Sequence, residues 1–366
     1  MNSSPPRPSY VAPPLTPAER RSRRRLPAVT LNDVARHAGV STATVSRVLN
    51  RKAVVAPEAA ARVMQACAEL GYLANGAARA LSSNKTWTIG AVVPTIENAH
   101  FARGIAGLQS RLHAAGYTLL LASSFYDPEI ELREVRSLLE RGIDGLMLVG
   151  GERHKELEQL LDRNIVPCVQ TWTLSSTRPC VGLDHEAAAA RLTDHLLDLG
   201  HERIAVIGGA WRQNDRAADR VSGIRQSLAR RGLALQAHWF LERPYRIEEG
   251  RRGMRELLAS TPAPTAVICG NDQLAYGALI EAQLQGLNVP RDISVAGFND
   301  LDFAAYVTPA LTTVRVAADE IGRRAGDYLL ARIAAEPAAP FTEIDAELVV
   351  RASTGAAPAA LSSQKT

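Results

Sequence analysis

The stretch TLNDVARHAGVSTATVSRVLN, residues 30–50, decides the fold. Thr30 is a good helix N-cap, because its hydroxyl can accept a backbone N–H that has no partner inside the helix. Asp33, three residues on, sits at the end of the helix dipole that favours negative charge. Leu31, Val34, Ala35 and Ala38 recur at helical spacing and form one apolar stripe. Gly39 is the residue type a tight turn between helices needs. Ser41 or Thr42 caps a second helix, whose Val45, Val48 and Leu49 face inward. Thr42, Ala43, Thr44, Ser46, Arg47 and Asn50 are left outside, short hydrogen-bonding side chains with one cation. Such a surface suits the major groove of DNA, although the same periodicity also describes a helical pair used only for packing. PEAAARVMQACAEL, residues 57–70, favours the first reading. Its proline opens a helix, and Val63, Ala66, Cys67 and Leu70 share one face before Gly71-Tyr72 stops it. A helix-turn-helix needs such a third helix for a core.

VTLNDVARHAGVSTATVSRVLN, followed at the expected distance by LGYLANGAARALSS, resembles the DNA-binding headpiece and hinge of the lactose-repressor (LacI) family. The resemblance runs from about residue 29 to about residue 355. It implies a three-helix helix-turn-helix domain over 29–72, a hinge helix and linker over 73–85, and a two-lobed α/β body over 86–355 that is similar to periplasmic sugar-binding proteins. Lobe one would span about 86–184 and 313–343, and lobe two about 185–312 and 344–355. The leader, 1–28, and the tail, 356–366, fall outside. The implied activity is sequence-specific DNA-binding regulation, usually repression, by a homodimer on a palindromic operator, controlled by a small molecule in the cleft between the lobes. Thr42, Ala43 and Arg47 would meet base edges, with Arg47 the candidate for a bidentate bond to guanine. Ser41, Thr44, Ser46 and Asn50 would position the backbone, and Thr30 joins this set. Ala43 departs from relatives that carry a polar reader there. Asn75 is placed to cap the hinge helix, Arg79 to reach bases or phosphates, and Leu81 falls on the position that wedges between base pairs and kinks the duplex.

Composition agrees with this organisation. A chain of 366 residues is too long for one ordinary core. The net charge of +4 is unevenly placed: residues 1–29 carry +5, residues 30–83 carry +3 and the remainder −4. A basic front on an acidic body fits a protein that presents one end to phosphates. The leader is rich in Pro and Ser and ends in RRSRRR, so it cannot bury a core and reads as disordered. It either adds phosphate contacts or is an inert tail, the second including an upstream start wrongly chosen. The four cysteines, Cys67, Cys168, Cys180 and Cys269, lie in apolar runs without a CxxC or a paired His, and read as small core residues. No metal or cofactor is expected. No apolar run reaches the ~20 residues of a membrane span and no signal-peptide pattern opens the chain, so a cytoplasmic protein without a membrane partner is expected.

From residue 87 the pattern alternates strand and helix, which predicts parallel sheets with right-handed crossovers. Strands are expected at 88–94, 117–124, 145–150 and 166–171, with helices at 101–115, 128–141 and 154–164 between them. A second set has strands at 203–209, 266–270 and 294–298 and helices at 186–199, 217–231, 247–259 and 272–285. A strand at 311–316, a helix at 317–333 and a strand at 347–352 close the chain. The chain should cross between lobes near Asp184, Thr312 and Glu343.

Ligands of such sheets bind outside the carboxyl ends of the strands. That rule and the family resemblance select Asn98, His100 and Phe101 after the first strand, Trp172 after the fourth, Asn271 and Asp272 in CGND, Asn299 in GFND, and Arg216 and Arg220 in NDRAADR. Phe101 could stack on a sugar ring while Asn98 or His100 bonds a hydroxyl. Asp272 reads equally as a helix cap, Arg220 also as a solvated helix charge, and His100 also as an ordinary loop residue. Asn299 stands where many relatives carry Asp. The missing charge, together with Arg216, points to a sugar acid such as gluconate and to a gluconate-type regulator. An enzyme is not expected: the chain has no GxSxG, HExxH, P-loop or GxGxxG after the first strand. The rival is a sugar-binding protein without a regulatory role, against which the headpiece argues. The tail has no heptad repeat to build a tetramer.

Overall fold

The structure is a computed structural model that describes residues 29–50, 55–72, 85–163, 165–209 and 214–358. The leader, the hinge positions Asn75, Arg79 and Leu81, and tail residues 359–366 lie outside the described residues, as does the side chain of Asn50. Two compact units divide after Asn84.

The first unit holds three helices: α1 (Leu31–Ala38), α2 (Thr42–Asn50) and α3 (Pro57–Leu70). Thr30 and Asp33 form a reciprocal capping box, with the Thr30 hydroxyl accepting the Asp33 N–H and the Asp33 carboxylate accepting the Thr30 N–H at 2.9 Å. Gly39 follows α1 with φ of 63°, where any larger residue would be strained. Its turn lets the Val40 N–H reach the Ala35 carbonyl at 3.1 Å. Val34, Ala35, Ala38, Val45, Val63 and Ala66 are buried together, with Leu31, Val48, Leu49, Cys67 and Leu70 packed around them. Arg62 from α3 donates to the Ala38 carbonyl at 3.2 Å and satisfies one of the free carbonyls at the end of α1.

The second unit contains two six-stranded sheets. The strands are β1 (Thr88–Val93), β2 (Thr118–Ser123), β3 (Gly145–Val149), β4 (Cys168–Thr171), β5 (Cys180–Gly182), β6 (Ile204–Gly208), β7 (Phe240–Glu242), β8 (Ala266–Cys269), β9 (Ser294–Asn299), β10 (Thr312–Val316), β11 (Phe341–Glu343) and β12 (Ala346–Val349). The helices are α4 (Ala99–Ala114), α5 (Pro128–Glu140), α6 (Lys155–Asp162), α7 (His185–Asp198), α8 (Asp215–Arg230), α9 (Ile247–Leu258), α10 (Asp272–Leu284) and α11 (Ala318–Ile333). Sheet one runs β11-β5-β4-β3-β1-β2 and sheet two β12-β10-β9-β8-β6-β7. Every pairing is parallel except β10 with β12.

One expected crossing moves. β10 pairs with β9 from Thr312↔Ala296 to Arg315↔Asn299 and with β12 on its other side, so residues 312–316 belong to the second lobe. The chain returns to lobe one after Val316, where α11 packs on α4, and not near Thr312. The reason is burial: TTVRV is an interior strand with Arg315 alone exposed, and a strand seated between two neighbours cannot be cut at its first residue. Strands β5, β7 and β11 were not expected, since three residues are too few to show a period. Helices α4 and α11 cross backbone to backbone. A Cβ on Gly322 would lie 1.8 Å from the Gly104 carbonyl oxygen, so nothing but glycine fits there. One buried apolar cluster runs from Ile89 and Val169 in lobe one to Val206 and Phe298 in lobe two.

Candidate functional site

The headpiece keeps its polar face clear of its core. Ser41, rather than Thr42, caps α2: its hydroxyl accepts the Thr44 N–H at 3.1 Å and lies 2.9 Å from the Thr44 hydroxyl. Ser41, Thr42, Ala43 and Arg47 are exposed, Thr44 and Ser46 are half-buried, and Val45 between them is fully buried. Among the described residues Arg47 has no ion-pair partner. Thr30 is exposed at the start of α1, with its hydroxyl donating to Asp33 at 2.6 Å. The arrangement places one guanidinium without an ion pair and several short polar groups on the outer side of a rigid helix, as groove reading requires.

In the body, the residues at the strand ends converge between the lobes. Asn98, His100, Phe101 and Trp172 from lobe one meet Arg216, Arg220, Asn271 and Asn299 from lobe two, joined by Tyr126, His185, Asn214, Tyr245 and Gly270. Free space at their centre is about 30 Å³, room for about one water. The Phe101 and Trp172 rings meet edge to face with centroids 5.3 Å apart, and His100 stands 5.6 Å from Trp172. Trp172 and Asn299 both have positive φ, 60° and 112°, conformations that a non-glycine residue keeps only where its surroundings impose them.

Three of these side chains are helix caps. Asn98 accepts the His100 N–H at 3.1 Å, Asn214 the Ala217 N–H at 3.4 Å and Asn271 the Leu274 N–H at 2.9 Å. In each the carboxamide oxygen is held by the backbone, which leaves the NH2 group to make the outward contacts. The Asn271 NH2 uses one of its hydrogens on the Gln273 side-chain carbonyl at 3.4 Å. The starts of α4, α8 and α10 therefore bring both helix-dipole positive ends and amide donors to one place. The Trp172 Nε1–H is buried without a hydrogen-bond partner among the described residues.

The two arginines differ in their partners. Arg216 donates to the Asp215 carboxylate at 2.7 Å, and Asp215 accepts the Gly151 N–H of lobe one at 2.6 Å. Burial alone would push Asp215 up, but Arg216 and these N–H groups outweigh it and hold its carboxyl below the ordinary value. Arg220 instead donates to the Tyr245 hydroxyl at 3.0 Å and to His185 Nδ1 at 3.2 Å, and lies 4.9 Å above the Phe298 ring. All three partners are neutral. His185 donates from Nε2 to the Trp172 carbonyl at 2.8 Å, so both ring nitrogens are committed to the neutral form. Burial, and then the Arg220 charge, hold His185 well below its usual range. The same two causes depress His100 to about 3.

Asp272 does not join the cleft group. It is fully buried, with one carboxylate oxygen accepting the Leu301 N–H and the other the Thr313 hydroxyl, each at 2.6 Å. Nor does it cap α10, because Asn271 does. Burial raises its carboxyl to about 7 against the pull of those two bonds. Sequence reasoning missed Tyr126, His185, Asn214 and Tyr245. Asn214 repeats the Asn-Asp signature of Asn271-Asp272 and was legible on that ground, whereas Tyr245 reaches the cleft from a loop that no motif marks.

Outward of this pocket the cleft opens into a chamber of about 810 Å³ that shares Asn98, Tyr126, Asn214 and Tyr245 with it. Its walls add Pro94, Phe125, Pro244 and Ile247, with Glu97, Glu242, Arg246 and Gln273 among its polar groups. Among the described residues no helix is long and apolar enough to cross a membrane.

Comparison with known proteins agrees with both units. Residues 30–75 match the bacterial regulatory proteins of the lacI family, and residues 193–354 match the periplasmic binding protein-like domain. The HTH-type transcriptional repressor PurR of Vibrio campbellii (strain ATCC BAA-1116) is 35% identical over 326 residues, 88% of this chain and 97% of the relative. The structure of transcription regulator GntR from Chromobacterium violaceum is 34% identical with a TM-score of 0.70, over 73% of this chain and 99% of that one. The lac repressor dimer bound to operator and the anti-inducer ONPF is 28% identical with a TM-score of 0.80, over 90% of this chain and 100% of that one. With a lacI-type headpiece, a two-lobed body and relatives that are transcriptional repressors, the chain belongs to the LacI family: it is a DNA-binding transcription regulator and not an enzyme.

Proposed function

We propose that this regulator acts as a homodimeric repressor whose affinity for a palindromic operator is set by a sugar acid, such as gluconate, in the cleft. On the DNA side, Thr42, Ala43 and Arg47 read base edges and Ser41, Thr44, Ser46, Asn50 and Thr30 hold the phosphate backbone. Asn75, Arg79 and Leu81 supply a minor-groove hinge. The exposed Arg47, with no ion pair of its own among the described residues, supports this assignment, and a helix reading one half-site calls for a two-fold partner. An effector that changes the lobe angle would shift operator affinity by about 1–3 kcal/mol.

The observation that carries the acid reading is Arg220. It is a half-buried cation whose hydrogen-bond and ring partners are a phenol, an imidazole and an aromatic face, with no carboxylate in ion-pair contact among the described residues. Around it stand amide donors, helix N-termini and an unpartnered indole N–H. A site rich in donors and poor in acceptors favours a ligand that is mostly acceptor, and a carboxylate with hydroxyls meets that need. The carboxylate clamp expected at Arg216 passes to Arg220, because Arg216 is already paired with Asp215.

The test is a thermal-shift screen of the full chain against gluconate, neutral sugars, sugar phosphates and purines. A ligand at a hundredfold excess over its Kd stabilises the folded state by about 2.7 kcal/mol. Gluconate is expected to raise the Tm, Arg220→Met to abolish the shift, and Arg216→Met to reduce it less. A shift with neutral sugars alone, or one that survives Arg220→Met, retires the acid.

A further inference from the structure

The recognition groups and the available space in the cleft are in different places. The inner pocket holds the amide donors and both arginines but has only about 30 Å³ of free space. The outer chamber has about 810 Å³, within the range of sites that enclose drug-sized ligands. Its walls set two prolines, three aromatics and Ile247 among a larger number of polar and charged residues. An effector seated with the lobes in this arrangement can pass only a compact charged end inward, and its bulk must lie outside.

The outer wall is built for a flat partner. Phe125 and Tyr126 both have positive φ, 54° and 62°, in consecutive non-glycine residues. A non-glycine residue keeps that conformation only where the fold over-determines it. The Phe125 N–H bonds the Pro94 carbonyl at 2.8 Å, which fixes the turn on the end of β1. The result is a Phe125 side chain that remains 68% exposed beside the chamber, while Tyr126 stands half-buried between the inner and outer spaces. Opposite stand Pro244, Tyr245 and Ile247 from lobe two. Glu97, Glu242, Arg246 and Gln273 supply donors and acceptors around this apolar lining, which suits a ring with hydroxyls on its edge better than a plain hydrocarbon.

We propose that the outer chamber is a second subsite, and that the effector is a disaccharide acid. Its carboxylate end reaches Arg220 and its second, neutral sugar ring packs on Phe125. This deepens the acid reading above and rests on it.

The experiment is titration calorimetry of the full-length protein with gluconate, with lactobionate and cellobionate (gluconate carrying one further hexose), and with lactose. Both disaccharide acids are expected to bind about tenfold more tightly than gluconate, the scale of one well-stacked ring, and lactose weakly. Phe125→Ala is expected to bring the ratio of disaccharide-acid to gluconate affinity close to one. Ile247→Asp, on the opposite wall, should lower the same ratio, so the test does not depend on one variant. Equal affinities for gluconate and the two disaccharide acids, or a ratio unchanged in both variants, overturn the subsite and leave the sugar-acid reading standing. Failure of all three acids to bind, or acid binding unaffected by Arg220→Met, overturns the acid reading and the subsite with it.

Discussion

The headpiece and the body solve opposite problems with helices capped by short polar side chains. In the headpiece, six small buried residues hold three helices together and the side chains proposed to contact DNA stand outside that core. In the body, Asn98, His100, Arg216, Asn271 and Asn299 are all buried, and the proposed effector site is the seam between two lobes. An exposed functional face imposes little on the core beneath it. A buried one must satisfy every polar group it contains, so caps, tautomers and ion pairs become part of the site.

The largest effect that could break this comparison is in acid. His100 is held neutral to about 3, so its stabilising contribution is present above its ordinary value of 6.5 and is lost as the pH falls from there towards 3. Between pH 7 and pH 4 the body of the wild type should lose about 3 kcal/mol more than His100→Gln, measured by chemical denaturation. Asp272 has the opposite sign. Its raised value of about 7 means that stability rises as the pH falls from 7 towards 3.8, a trend of similar size that Asp272→Asn should remove. Among the described headpiece residues, the shifted carboxylates Asp33 and Glu69 lie at the surface, and its unfolding should depend on pH much less. Parallel acid profiles for the two units would show that burial of the cleft is not what separates them.

Arg47→Ala comes next. It should weaken specific operator binding by about 1–3 kcal/mol for each base edge that Arg47 reads, with non-specific binding changed only slightly. Fluorescence anisotropy on specific and random duplexes, with calorimetry for the effector, measures both quantities. A change in effector affinity equal to the change in operator affinity would mean that the headpiece face is not separable from the body. The smallest effect is Thr30→Ala. Loss of the capping box should cost the headpiece about 1 kcal/mol and leave the melting of the body unaltered.

How much was legible followed the same division. The α1 cap, the Gly39 turn, the apolar stripe and the outward set from Thr42 to Arg47 are local, so a 21-residue window contained all of them. The cleft residues were legible where they sit at the end of a strand or open a helix, as Asn98, Trp172, Asn271 and Asn299 do. Tyr245 was hidden because it arrives from a loop between β7 and α9, and His185 because its partners, Trp172 and Arg220, are 13 and 35 residues away. The crossing near Thr312 was misplaced because a hydrophobic strand carries no mark of which sheet will receive it.

Hydrophobic period, capping residues and glycine turns, all set by neighbours a few positions apart, determined from sequence alone that this chain is a helix-turn-helix headpiece followed by an α/β body of alternating strands and helices. Only the tertiary structure decided which of two nearby arginines is tied up in an ion pair, that Asp272 is a buried tie and not a cleft residue, and that the polar pocket and the roomy chamber are separate. Those outcomes depend on which distant carboxylate, phenol or carbonyl comes within hydrogen-bond reach, and that distance does not exist until both lobes have closed on each other.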